Sequence, residues 1–334
     1  MVMSNSPTYL RDLLATKAKT SERAQMLLDR YDSVSKYLGD NVHPYVTVGA
    51  AASDGGSLLT DHGVEHVARV TELAGKILES SAPNHDLSEE ELYVLLVAIQ
   101  FHDLGNITGR TSHEAKIKAH LVTAQTYLGR ESILNQAILQ VSRAHGGKAD
   151  DGTLNTIAHL TESRDLRKRF LAAVLRLADE LSDDESRTSE ELISGGSIPP
   201  ENLIYHLFAF HLAKVTIQPS EIHYQFHLTD KVLDSLYPYE GKEISIVEYI
   251  FIRIQKTELE RQYCQRFLGS TCPITTFGVD LLYTPDFTWD DPKHSVKFEL
   301  TDYGYPSSDL WNIWKTCQQL VGRTPADIEL ALRN

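Results

Sequence analysis

The chain has 334 residues, enough for about two domains, or for one large domain with an insertion, and for a full hydrophobic core. Its 32 Lys plus Arg against 46 Asp plus Glu give a net charge of −14. This balance argues against a long nucleic-acid duplex as partner, because backbone binding depends on clustered cations. The three cysteines form no CxxC pair, which excludes a readable disulfide framework or thiolate zinc site.

The N-terminal region predicts helices and no targeting segment. It lacks the apolar stretch of a secretory signal, and no apolar run in the chain approaches the roughly 20 residues that cross a bilayer. We therefore expect a soluble cytoplasmic protein without membrane contact. Apolar residues recur every three or four positions from Pro7 to about Leu38, which predicts one or two amphipathic helices. The Gly-rich stretch from Val46 to Gly56 predicts a loop.

The region from Val64 to Asp184 predicts an all-α module. Helical patterns follow one another there without a convincing strand, and glycine, proline or asparagine residues separate them. The predicted helices cover about 64–80, 88–102, 112–128, 131–144 and 164–183.

The pattern changes after Pro199 and Pro200. Apolar and polar residues alternate on both sides of Pro219-Ser220, which predicts a β-hairpin. Further along we predict a helix over about 244–268, strands within 274–283 and 295–303, and a terminal helix over 308–332.

These elements predict a mainly α protein: a helical bundle with a smaller C-terminal α+β unit. The predicted domains are N-terminal helices packing on the core (1–58), the bundle (59–199) and the α+β unit (200–334). The last carries no motif with evident chemistry. It could form a dimer interface, and so a homo-oligomer, or a lid over a site in the bundle, or a docking surface.

Histidine is concentrated in the helical module. Imidazole is the most common ligand of transition metals and carboxylate is its hard partner, so inward-facing His and Asp on successive helices can converge on one or two ions. Eight of the fourteen histidines lie between residues 62 and 159: His62, His66, His85, His102, His113, His120, His145 and His159.

Three segments place such residues on apolar helices. His66 continues the apolar stripe of its helix, and His102-Asp103 ends the next apolar helix. Asp179 lies in the almost wholly apolar sequence FLAAVLRLADEL. An unpaired carboxylate is costly in such surroundings, so a buried Asp179 needs a cation.

The order His66, His102-Asp103, Asp179 resembles the H…HD…D signature of the HD superfamily of metal-dependent phosphohydrolases. The local sequences HVARVTELA, AIQFHDLGNI and LRLADELSDD resemble the first, central and closing helices of that family, over about residues 60–185. The resemblance implies a helical bundle with one or two metals, the first held by His66, His102, Asp103 and Asp179. It also implies hydrolysis by a metal-activated water, which Asp103 could help to orient.

Family members with two metals have further histidines between the HD pair and the last aspartate. His145, at a helix end before two glycines, is the preferred second-metal ligand. His113 and His120 are seven positions apart on roughly one helix face. One could be a ligand while the other donates a proton or contacts phosphate, and the sequence does not decide between them. His62 shares the face of His66 and could bind metal or support a ligand.

A phosphorylated substrate also needs cations, and mixed His/Asp sites accept several metals. We expect Mn, Fe, Co, Ni or Zn, with Mg if the site is rich in oxygen. The candidate substrate-binding cations near the motif are Arg110, Lys116, Lys148 and Arg187.

The expected function is hydrolysis of a phosphate ester or anhydride in a small phosphorylated molecule, with a nucleotide favoured, by a phosphohydrolase or phosphodiesterase. One alternative is an HD-type nuclease that acts on single-stranded nucleic acid. The net charge of −14 disfavours this alternative. Another is a nucleotide-sensing binding module. The complete set of metal ligands disfavours this second alternative, because a sensor does not need every metal ligand.

Overall fold

The computed structural model describes residues 9–48, 60, 62–81, 86–109, 113–149, 151–285, 292–301, 314 and 317–333. They divide into two compact units. The helical unit comprises the residues up to Ser182 together with Phe267–Cys272, and the α+β unit comprises Asp183–Arg266 and the residues from Pro273 onward. The predicted domain boundaries near 58 and 199 stay a prediction. None of the helices in the described ranges has the length and apolar character of a transmembrane span.

The helical unit confirms two N-terminal helices and the helices predicted beyond them. Short 3₁₀ helices at His43–Tyr45 and Leu104–Thr108 connect some of them. Its α-helices are α1 Tyr9–Ala18, α2 Glu22–Asn41, α3 Val64–Glu79, α4 Glu89–Phe101, α5 His113–Thr123, α6 Gln125–Leu128, α7 Ser132–Arg143 and α8 Lys168–Glu180.

Helix α4 lies at the centre of the helical unit. Every residue from Glu91 to Phe101 is buried, and the helix packs against α1, α2, α7 and α8. A helix with apolar residues on all faces is stable only inside a core. Each buried Leu or Ile contributes about 1.5–3 kcal/mol, so this packing fixes the position of the C-terminal end of α4. His102 and Asp103 follow at that end.

Glu91 ties the start of α4 to the start of α8. It completes a capping box with Ser88, whose Oγ accepts from the Glu91 backbone at 3.1 Å. The same carboxylate accepts hydrogen bonds from the backbone and guanidinium of Arg167, at 2.7–3.0 Å. Burial acts to raise the pKa of Glu91, but the bonds from Arg167 outweigh it and hold that pKa below its ordinary value. The two helices that carry the HD pair and the closing aspartate are therefore fixed relative to each other.

The α+β unit contains a four-stranded and a two-stranded sheet. The larger has the order β1-β2-β5-β6 and the smaller pairs β3 with β4. A 3₁₀ helix covers Glu185–Arg187. The other elements are α9 Glu190–Ser194, α10 Pro200–His211, β1 Leu212–Gln218, β2 Glu221–Leu228, α11 Asp230–Leu233, β3 Leu236–Tyr239, β4 Lys242–Ser245, α12 Ile246–Leu268, β5 Thr276–Tyr283, β6 His294–Thr301 and α13 Pro325–Arg333.

The predicted hairpin is confirmed as β1 and β2, which pair antiparallel around Pro219-Ser220. Strand β5 pairs with β2 in parallel, with Tyr224 opposite Val279, and β6 returns antiparallel to β5. The parallel pair needs a crossover connection, which includes α12. The aromatic rings of Phe226 on β2 and Phe208 on α10 lie 5.4 Å apart, so α10 packs on the apolar face of the sheet.

Some predicted boundaries are wrong. The helix predicted over 112–128 ends at Thr123, and α6 follows as a separate short helix. The helix predicted over 164–183 is confirmed only from Lys168 to Glu180. The terminal helix predicted over 308–332 is wrong for 317–324, which form turns that include Gly322 at φ +78°. Helix α13 begins only at Pro325, since proline fits the first turn of a helix. Of residues 308–316, the structure describes only Trp314, which is helical, and the others lie outside the described residues.

Candidate metal centre

The ends of five helices of the helical unit bring the His and Asp side chains together. His66 lies in the first turn of α3, and His102 caps the C-terminal end of α4 with Asp103 after it. His145 follows α7 closely. These four side chains are buried, with at most 7 % of each residue exposed. The list is completed by His113, the first residue of α5, and Asp179 in the last turn of α8.

The first donor group consists of Nε2 of His66, Nε2 of His102, Oδ2 of Asp103 and Oδ1 of Asp179. Nε2 of His66 lies 3.2 Å from that of His102 and 3.3 Å from each carboxylate oxygen. Nε2 of His102 lies 3.5 Å from Asp103 and 3.6 Å from Asp179. Adjacent ligands of one metal at about 2.1 Å are separated by about 3.0–3.4 Å, so these residues fit a divalent cation. The side chain of Asp179 is 26 % exposed, which leaves this group open on one side.

The second donor group consists of Nε2 of His113, Nε2 of His145 and Oδ1 of Asp103. The two histidine nitrogens lie 3.3 Å apart, and Oδ1 of Asp103 lies 3.4 Å from His113 and 3.7 Å from His145. Asp103 therefore presents one carboxylate oxygen to each donor group. Of the two histidines that the sequence left open, the structure brings His113 into the cluster. His120 is half-buried in the last turn of α5 and belongs to neither metal-binding group formed by the described residues.

The other ring nitrogen of these histidines is anchored. Nδ1 of His102 donates to the carbonyl of Ile99 at 2.7 Å, and Nδ1 of His145 donates to that of Ser142 at 2.5 Å. A carbonyl only accepts, so Nδ1 carries a proton in both rings, and Nε2 is the nitrogen that faces the cluster. Nδ1 of His66 lies 3.4 Å from the hydroxyl of Ser182. Anchoring of this kind orients metal-binding histidines.

The electrostatics of the cluster favour positive charge. Burial acts to raise the pKa of Asp103, but the charge of His102 and hydrogen bonds from His113 and His66 outweigh it. The pKa of Asp103 lies well below its ordinary value, and so does that of Asp179, which His102 and His66 stabilise against the same burial. Burial and repulsion by His102 lower the pKa of His145 to about 4. Two ionised carboxylates and four imidazoles thus form a donor set suited to a divalent ion.

Two further histidines border the cluster. His62 is buried, and its ring lies 5.5 Å from that of His66. Sequence analysis did not single out His43, which is buried on the 3₁₀ helix after α2, with Nε2 3.1 Å from Oε1 of Gln100. Burial lowers the pKa of His43 to about 4 despite the bond to Gln100. No motif or helical stripe surrounds His43 in the sequence, so only the fold reveals it. Ser182 lies within the segment LRLADELSDD but was not singled out, because its contact with His66 depends on the fold.

The predicted substrate-binding cations lie in different environments. Nζ of Lys116 donates to the carbonyls of Thr108 and Gly109, each at 3.0 Å, so this ammonium holds the turn after the HD pair. Lys148 is exposed, three positions after His145. The remaining two are Arg187, which pairs with Asp183 at 3.3 Å within the α+β unit, and Arg110, which lies outside the described residues.

A helical bundle in which His66, His102-Asp103 and Asp179 converge defines an HD-type domain. The model of the HD-CE family matches residues 57–257, more than half of the chain. The chain belongs to the HD-CE family. No curated protein and no solved structure matches it. The family and the buried His/Asp cluster together indicate an HD-type metal-dependent hydrolase whose cluster can bind a divalent metal.

Proposed function

We propose that this protein is a metal-dependent phosphohydrolase or phosphodiesterase that hydrolyses a phosphate ester or anhydride of a small, nucleotide-like molecule. The observation that carries the proposal is the sharing of Asp103 between the two donor groups, with Oδ2 3.3 Å from His66 and Oδ1 3.4 Å from His113. A carboxylate shared in this way suits two neighbouring cations, and paired cations are typical of enzymes that cleave phosphate esters.

The residues of the cluster would hold the cations and keep their own geometry. His66, His102 and Asp179 would hold the first, His113 and His145 the second, and Asp103 both. When bound, the metal would supply Lewis acidity, which activates water and neutralises phosphoryl oxygens. The bonds from Nδ1 of His102 and His145 to backbone carbonyls keep both rings in place without rearrangement. Such preorganised donors reduce the cost of reaching the transition state.

The charge of the chain and its exposed cations favour a particular kind of substrate. A net charge of −14 opposes extended contact with a polyanion and favours a compact substrate. We propose Lys148 as a phosphate contact, because it is exposed and close in sequence to His145. Lys116 is a weaker candidate, since its ammonium already binds two carbonyls. Arg110 and Arg187 remain proposals from the sequence.

The test is a hydrolysis assay with a panel of nucleoside mono- and triphosphates, cyclic mononucleotides, cyclic oligonucleotides and short single-stranded DNA. Each substrate is incubated with Mn, Co, Ni, Zn or Mg, and with EDTA as the metal-free control. We expect EDTA-sensitive release from one class of small substrate and loss of at least 100-fold in His102→Ala, because removal of a ligand lowers metal affinity.

The matched control is His159→Ala, which removes an exposed histidine that pairs with Asp151 at 3.2 Å. It should keep full activity. Full activity in both His102→Ala and His159→Ala would refute the proposal that the metal site is the catalytic centre. Cleavage of single-stranded DNA alone would instead establish a nuclease, and stoichiometric metal binding without turnover of any substrate would favour a sensor.

A further inference from the structure

The second donor group contains a histidine whose anchoring differs from that of its neighbours. His102 and His145 follow the last turn of a helix, and each donates from Nδ1 to the carbonyl three positions earlier. His113 is the first residue of α5, so its own helix provides no carbonyl one turn before it. A ligand at this position is therefore not oriented by a carbonyl of its own helix.

The side chain of Glu114 lies where it can perform this function. Its Oε1 is 3.4 Å from Nδ1 of His113, while Nε2 of the same ring faces Asp103 and His145. The Glu114 side chain is only 16 % exposed. No lysine or arginine in the described part of the chain pairs with it. A carboxylate held largely away from water requires a positive or proton-donating neighbour, and the adjacent imidazole supplies one.

The backbone after His145 provides the space for this carboxylate. A Cβ atom at Gly147 would lie 2.8 Å from the Glu114 carboxyl carbon, and one at Gly146 would lie 3.3 Å from Oε1. Gly147 also has φ +69°, a conformation that favours glycine. The two glycines therefore allow the Glu114 side chain to lie between Nδ1 of His113 and the backbone that follows His145.

From these contacts we infer that Glu114 is a positioning residue for the second metal: it accepts the Nδ1 proton of His113 and so holds the ring with Nε2 as the ligating nitrogen. A carboxylate partner of this kind fixes the tautomer and increases the basicity of a ligating histidine. The inference rests on the proposed two-metal site. Sequence analysis did not identify Glu114, because a single glutamate beside a histidine at a helix start has no motif.

The first experiment detects the tautomer of His113 in metal-free protein. Long-range ¹H–¹⁵N spectra of histidine-labelled protein, at a pH where the His113 ring is neutral, distinguish Nδ1–H from Nε2–H, and His113→Asn assigns the signal. We expect the Nδ1–H form in the unsubstituted protein and in Glu114→Gln, whose amide oxygen still accepts. Glu114→Ala should give a mixture of the two forms.

The second experiment measures metal affinity by Co²⁺ titration, followed by visible absorption. In Glu114→Ala we expect the second equivalent to bind about 10–100-fold more weakly, the range for loss of a partner behind a ligand, with the first equivalent unchanged. Glu114→Gln should recover most of the affinity.

A glycine pair tests the space for the carboxylate. Gly147→Ala should lower the affinity for the second equivalent of Co²⁺, because its Cβ displaces the Glu114 side chain. In the double variant with Glu114→Ala, the Gly147→Ala substitution should lower this affinity little further. Gly152→Ala is the matched control: its φ of +77° imposes similar strain, yet within the described residues, its chain neighbours aside, nothing lies within 4 Å of the added Cβ. It should not change Co²⁺ binding.

The alternatives give distinct results. An unchanged His113 tautomer and unchanged affinity in Glu114→Ala would overturn the inference. Equal losses in Glu114→Gln and Glu114→Ala, without a change of tautomer, would make Glu114 a direct ligand and overturn the positioning role. If the unsubstituted protein binds only one equivalent, the two-metal proposal fails, whereas the tautomer experiment still decides the role of Glu114.

Discussion

Asp103 determines whether the cluster is one site or two. Its Oδ2 is 3.3 Å from Nε2 of His66 and its Oδ1 is 3.4 Å from Nε2 of His113. The remaining donors belong to only one group: Asp179 lies 3.3 Å from His66, and His145 lies 3.3 Å from His113. Removal of the shared carboxylate should therefore affect both metals, and removal of any other donor should affect one.

This geometry predicts the metal stoichiometry of single variants. Asp103→Ala should lose both equivalents, Asp179→Asn mainly the first, and His145→Ala mainly the second. Each loss should be at least about 10-fold in affinity, since ligands contribute at least as much as their hydrogen-bonded partners. Isothermal titration calorimetry with Mn²⁺ or Co²⁺, supported by metal analysis of the purified proteins, measures the two equivalents.

His113→Ala and His120→Ala complete the series as a matched pair on one helix. His113→Ala should lose the second equivalent, and His120→Ala should retain both, because His120 belongs to neither donor group. Equal behaviour of the two variants would contradict the assignment of His113. A series in which Asp103→Ala loses only one equivalent would contradict the shared carboxylate.

The sequence predicted part of this cluster for a physical reason. His66, the HD pair and Asp179 stand on apolar helices, where polar side chains need a partner, and they follow a family order. The choice between His113 and His120 depended on the exact start and direction of α5, which periodicity does not resolve. The anchoring partners of Nδ1 are backbone carbonyls or single side chains, so they leave no pattern in the sequence.

At the scale of elements, Glu131 joins three helices of the helical unit. It precedes α7 and accepts hydrogen bonds from Arg23 and Arg30 on α2. Arg23 also binds Glu90 on α4 at 3.0 Å. The hydrogen bonds from Arg23 and Arg30 lower the pKa of Glu131 to about 2, against partial burial, which acts to raise it. Its position before the first turn of α7 is also favourable for a negative charge.

This network predicts a loss of stability in acid. The folded pKa of Glu131 lies below the value of about 4.5 expected in an unfolded chain, so the ion pairs stabilise fully above pH 5. The stabilisation is lost as the pH falls towards 2. About a third of each side chain is exposed, so solvent screening limits the contribution to about 1 kcal/mol. Urea denaturation at pH 6, 4 and 3 measures it.

Glu131→Gln should be less stable than the unsubstituted protein at pH 6, and the difference should shrink as the pH falls. Glu190→Gln, at an exposed residue of α9, serves as the control and should show no such pH-dependent difference. A constant difference across the three pH values would mean that Glu131 stabilises through its shape or capping and not through its charge.

The positions of some helices and strands could be predicted from the sequence, whereas those of others could not. Amphipathic periodicity located α3, α4, α7 and α12 within a few residues, because each must bury one face or all of its surface. The β1–β2 hairpin was predicted since alternation and a turn are local. The parallel pairing of β2 with β5 joins strands separated by β3, β4 and α12, and no local pattern encodes it. Gly322 and Pro325 end the predicted terminal helix, which apolar spacing alone extended too far.

At the scale of the whole molecule, a segment late in the sequence belongs to the helical unit, although the residues directly before it do not. Phe267–Cys272 belong to the helical unit, although most of α12 belongs to the α+β unit. Leu268 and Cys272 are at most 1 % exposed, and the Cys272 thiol has a pKa raised by burial in spite of a hydrogen bond to Ser81. The helical unit thus includes a segment from far along the chain.

Leu268→Ala should therefore destabilise the helical unit. Truncation of a buried leucine costs about 2–5 kcal/mol, whereas Leu259→Ala on the same helix removes a side chain that is 37 % exposed and should cost well under 1 kcal/mol. Trp314 stacks on Phe251 within the α+β unit, with ring centroids 4.1 Å apart, so tryptophan fluorescence includes a signal from that unit, while far-UV circular dichroism includes the many helices of the other unit. In urea denaturation, Leu268→Ala should shift the dichroism transition more than the fluorescence transition. A shift confined to fluorescence would show that the segment stabilises the α+β unit instead. Equal costs for Leu268→Ala and Leu259→Ala would contradict a stabilising role for the buried Leu268 side chain.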